Sequence, residues 1–192
     1  MFVSRSPSRD FLLLLLFVFF SGCTDRAAKL PNYGQVPQFT MTDSNGRPFN
    51  RNMLSGSVWI VDFIYTNCPA ECPRMTSKMH RIAEQVQGED NLGLLSISVD
   101  PDRDTPAALT RFADRYGGPT PQWHFLTGNP STVHLLAYTT FHVGDIIGKM
   151  EHATHFILVD KQGDIRGYYS SFDAEEIKKL LRDAEALRSA HS

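Results

Sequence analysis

The stretch from Val58 to Pro73 constrains this chain most, because a buried strand breaks into a helix there with two cysteines at the break. Val58 to Thr66 is β-branched and aromatic, as a strand requires. Asn67, Pro69 and Pro73 then end the strand and open a helix. Their spacing puts Cys68 and Cys72 one helical turn apart, within reach of each other. At a helix N-terminus the dipole and the free N–H groups favour thiolate over thiol. Such a pair suits redox chemistry or a soft metal. A purely structural disulfide is the plainer reading, but a bridge closing so short a loop restricts the unfolded chain little.

The elements around this junction alternate. Phe39–Thr42 and Pro48–Phe49 flank Asn45-Gly46, an N-terminal hairpin signal. After the first cysteine helix, where Met75, Met79, Ile82 and Val86 recur at helical spacing, Gly88 closes the helix and Leu92–Val99 forms a second buried strand. Thr105-Pro106 opens a helix to about Tyr116, Trp123–Leu126 is a short strand, and Pro130 starts a helix through about Tyr138. Thr154–Val159 and Ile165–Tyr169 make a second hairpin around Asp160–Gly163, and Asp173 caps a closing helix. This order predicts an α/β, thioredoxin-like domain: a central mixed sheet flanked by helices.

The first 22 residues read as an address. Arg5 and Arg9 precede an unbroken apolar run from Phe11 to Phe20, too short to span a bilayer stably. Phe20-Ser21-Gly22-Cys23 resembles a bacterial lipobox, which predicts a lipidated Cys23 and a membrane-anchored lipoprotein facing the periplasm or extracytoplasmic space. An ordinary secretory signal with a stray cysteine is the alternative. Lipidation leaves Cys68 and Cys72 as the one remaining pair. Residues 23–37 read as a tether, and 38–192 as the single domain. A formal charge of −2 gives no basic footprint for nucleic acid.

Three separated signatures resemble the Sco/SenC family. Cys68-Pro69-Ala70-Glu71-Cys72-Pro73 is similar to its Cys-Pro-x-x-Cys-Pro copper motif. Asp100-Pro101-Asp102-Arg103-Asp104-Thr105-Pro106 is similar to its Asp-Pro-x-x-Asp-Thr-Pro turn, and His152 to the family histidine before the last hairpin. The resemblance implies a monomeric metallochaperone holding one copper, Cu(I) or Cu(II), through Cys68, Cys72 and His152. It further implies a role in assembling the CuA centre of cytochrome c oxidase, with the CuA-bearing subunit as partner. Two thiolates and an imidazole suit Cu(I), a soft ion. Glu151 stands where some family members have Asp.

His155 is the rival ligand, but residues i and i+3 of a strand point to opposite faces. His80, His124, His134, His142 and His191 match no signature, and Met75 and Met79 read as core. Asp100 and Asp104 have two readings each: a strand end and a helix cap, or groups supporting the site or meeting a partner. The main functional alternative is a thiol–disulfide oxidoreductase using Cys68 and Cys72 as its redox-active pair. Against it, thioredoxin-type reductases use Cys-x-x-Cys and a cis-proline facing it, and this chain has no proline after Pro130. A peroxiredoxin-type peroxidase lacks the expected surroundings of its reactive cysteine.

Overall fold

The computed structural model describes residues 27–143 and 154–190. The apolar leader, Cys23, Glu151, His152 and His191 lie outside the described residues. The described chain runs β1 (Thr40–Asp43), β2 (Pro48–Asn50), β3 (Val58–Ile64), α1 (Glu71–Gln85), β4 (Leu92–Ser98), α2 (Pro106–Asp114), β5 (Trp123–Thr127), α3 (Pro130–His134), β6 (His155–Val159), β7 (Ile165–Ser170) and α4 (Ala174–Ser189). One seven-stranded sheet has the order β2-β1-β5-β4-β3-β6-β7. Strands β3, β4 and β5 are parallel, whereas β1, β6 and β7 pair antiparallel with their neighbours. It is the thioredoxin-like mixed sheet, with the expected hairpins at β1–β2 and β6–β7.

The central strands carry near-continuous apolar runs because both of their faces are covered. Val58, Ile60 and Ile64 face one layer with Met75, Met79 and Ile82 of α1, Leu109 and Phe112 of α2, and Leu180, Ala184 and Leu187 of α4. Trp59, Val61 and Phe63 face the other, with Phe49, Val133, Leu136 and Phe141. Gly93 pairs with Trp59 across β3–β4, and a Cβ there would overlap the indole, so only glycine admits this ring.

Two segments differ from the sequence expectation. The helix from Pro130 widens into a π-helix over Leu135–Thr140, two residues past Tyr138, which keeps Leu136, Ala137, Phe141 and Val143 all buried. Residues 27–37, the described part of the stretch read as a tether, lie against β7 and the turn before it. Tyr33 donates to Ile165 O at 2.9 Å and Val36 to Gly163 O at 2.9 Å. The Arg166 guanidinium donates to the carbonyls of Ala27, Leu30 and Pro31, while its other arm meets Asp160 at 2.7 Å. The polar, Pro- and Gly-containing composition of this segment reports its lack of regular structure, not its partners.

Candidate functional site

Strand β3 ends at Ile64, the chain turns through residues 65–70, and α1 begins at Glu71 behind Ala70, which supplies no side-chain cap. Cys68 therefore precedes the helix, while Cys72 is its second residue. The Cys68 sulfur takes the capping role: Sγ accepts the Cys72 N–H at 3.3 Å. Pro73 costs nothing here, because N–H groups in the first turn have no intrahelical acceptor. Both cysteines are buried, at 8% and 6% exposure, and not bonded to each other.

Their ionisation splits. Burial opposes ionising Cys68, but hydrogen bonds from the Cys72 and Ala70 amides, the Cys72 thiol and the Tyr65 hydroxyl outweigh it, so its pKa falls below that of an ordinary thiol. Tyr65 responds in the opposite sense, its phenol held protonated chiefly by that hydrogen bond. Burial first, then the hydrogen bond with Cys68, pushes the Cys72 thiol well up. Cys68 is thus the more acidic thiol of the pair, and Cys72 keeps its proton.

Asp104 fixes the approach to Cys68. It is fully buried and accepts from the Thr66 amide at 3.1 Å, the Thr66 hydroxyl at 2.6 Å and the Ser98 hydroxyl at 2.6 Å. It does not cap α2; Thr105 does, accepting from the Ala108 amide. Of its two sequence readings, support of the cysteine turn is the one its contacts fit. Asp100 instead pairs with Arg103 at 2.9 Å.

The sequence reading missed Asp62. It lies on the α1 side of β3 between Ile60 and Ile64, completely buried. Desolvation raises its pKa to about 7; the Ser96 hydroxyl across the β3–β4 pair eases that cost without cancelling it. The signal was present as one acidic residue inside an apolar run.

His155 opens β6, half-buried, and alternates with Ile157 and Val159. Those two pack on the face opposite Cys68 and Cys72, so its strand position does not serve the pair. His80 stacks near Trp123 and meets Glu84, and His124 packs against Phe49 and Trp59. Met75 and Met79 are wholly buried core residues, as expected. Among the described residues no three His, Cys, Asp or Glu side chains converge as a metal site.

The family model for SCO1/SenC matches residues 27–187. The chain belongs to the SCO1/SenC family. Within it, the SCO1 protein homolog of Bacillus subtilis (strain 168) is 31% identical over 180 residues, covering 90% of this chain and 92% of that relative. The solved structure of BsSco, a member of the Sco family of cytochrome c oxidase assembly proteins with an identified disulfide switch, superposes with a TM-score of 0.72 at 28% identity, over 85% of this chain and 98% of that one. Yeast Sco1 with copper bound gives a TM-score of 0.66 at 26% identity, over 84% and 96%.

Proposed function

We propose that this chain binds one copper ion as cargo through Cys68, Cys72 and His152, for assembly of the CuA centre of a cytochrome c oxidase. The observation that carries the reading is the Cys68–Cys72 pair at a helix start, the Cys68 sulfur accepting the Cys72 amide and held more acidic than an ordinary thiol. Two soft sulfurs fit Cu(I), and an imidazole from a separate loop would complete a three-coordinate set. The copper-bound yeast relative and the oxidase-assembly role of BsSco support it. Titrating chelated Cu(I) into reduced protein should give one copper per chain. His152→Ala should weaken binding by more than about tenfold, as loss of a ligand does, and His155→Ala should change it little. Two tightly held coppers, or equal losses at both histidines, would count against the site.

A second reading, reduction of a partner's disulfide, is favoured by the split ionisation of Cys68 and Cys72, which matches an attacking and a resolving thiol. Only the copper role needs His152. Cells carrying His152→Ala at normal protein levels should lose CuA oxidase activity under copper limitation; near-normal activity would favour the reductase.

We further propose that the site works outside the cytoplasm on a lipid anchor at Cys23, a reading supported by the lipobox-like Phe20-Ser21-Gly22-Cys23. No described helix is long and apolar enough to cross a membrane. If the lipid is the anchor, Cys23→Ser should shift the protein from the membrane to the soluble fraction, whereas retention would reassign anchoring to the apolar leader.

A further inference from the structure

Beside the cysteine turn lies a cleft of about 510 Å3 that neither the copper site nor the core uses. Thr66 and Asn67, the two residues before Cys68, form one wall, and Arg103, Arg111 and Arg115 form the other, over Phe112. The chain as a whole is slightly acidic, so three guanidinium groups at one opening beside Cys68 are a local departure from its average. Arg111 and Arg115 are four residues apart on and just beyond α2, which places them on one face. Both are exposed, and among the described residues no acidic side chain forms an ion pair with either. Arg115 Cζ rests 4.9 Å from the centre of the Phe112 ring, a cation–π contact at the cleft. Arg103 is partly neutralised by Asp100 at 2.9 Å. The Thr66 wall is held by Asp104, so cleft and cysteine turn form one unit.

We propose that this cleft is a docking site for a carboxylate-rich segment of the partner protein that meets Cys68. The inference deepens the proposed function by naming partner chemistry, and it does not require copper. Arginine forks match carboxylates two hydrogen bonds at a time. Opposed charge beside the reacting sulfur speeds encounter and excludes basic partners. Two opposite uncharged walls next to a thiol would give no such preference.

The test compares two small disulfides as probes of the reduced full-length chain: oxidised glutathione, anionic, and cystamine, cationic. In each reaction the Cys68 thiolate attacks one sulfur and expels one thiolate. Cys72, releasing its proton to water, then displaces the second. The pair is oxidised by two electrons to a Cys68–Cys72 disulfide, and the probe is reduced to two thiols. The rate ratio of glutathione disulfide to cystamine in wild type should fall about tenfold in Arg111→Gln/Arg115→Gln at low salt and much less at high salt. Arg111→Lys/Arg115→Lys should keep most of it. Cu(I) stoichiometry of the Gln variant should remain one per chain, which separates failure of this proposal from failure of the copper reading. An unchanged ratio in the Gln variant would overturn the proposal. So would an unchanged ratio with lost sedimentation on phosphatidylglycerol vesicles, which would assign the arginines to a membrane surface.

Discussion

Asp62 stands on the α1 side of β3, completely buried, a position where a charge is expensive. Burial raises its pKa from 3.8 to about 7. The sign follows from proton binding: between those values the folded chain keeps a proton that the unfolded chain has released. Stability should therefore fall as pH rises from about 4 to about 7, and level off above; the gap is worth roughly 4 kcal/mol. Denaturation of the reduced, metal-free protein at pH 5 and pH 8 isolates it by difference. Asp62→Asn should lose this fall, since it cannot ionise. An identical pH profile in both proteins would show that the carboxyl is paired or hydrated.

At the scale of elements, the cysteine turn is supported by the β4–α2 turn, and Asp104 is the joint between them. Asp104→Ala leaves the Thr66 amide, the Thr66 hydroxyl and the Ser98 hydroxyl without their acceptor. The expected loss is roughly 2–4 kcal/mol in urea denaturation, with faster hydrogen exchange at the Thr66 amide than in the centre of β4. Exchange that rises equally in both places would mean global loosening instead. This joint shows how far the sequence could be read. The Cys68–Cys72 junction was legible because strand composition, breakers and thiol spacing all sit within one short run. The acceptor role of Asp104 was not, because Thr66 lies 38 residues away and meets it only once β3 and β4 pair in parallel. The same holds for the arginine cleft, whose two walls come from different crossings of the sheet. The π-helix after Pro130 was hidden for another reason: Leu, Ala, Tyr and Thr there specify a helix without specifying its winding.

For the whole molecule, the Arg166 clamp sets where the folded body begins. Its guanidinium holds three carbonyls of residues 27–31 and is itself oriented by buried Asp160. Arg166→Ala should free that segment and leave Asp160 without its cation, a loss of roughly 3–5 kcal/mol for a buried pair. Limited trypsin digestion should then cut after Lys29 markedly faster than in wild type; an unchanged cutting rate would place the hold on Tyr33 and Val36 instead. The clamp has a consequence for reach. If lipid sits on Cys23, the leash between bilayer and Ala27 spans at most roughly 14 Å. Releasing residues 27–36 would add up to roughly 35 Å. With that proposed anchor, a short leash would keep the domain skimming the membrane, where the effective concentration toward a membrane-embedded recipient is high and the search nearly two-dimensional. On the proposed lipid anchor, a single arginine on the edge strand would govern how far the domain can travel from the bilayer before it must let go of its own first turn.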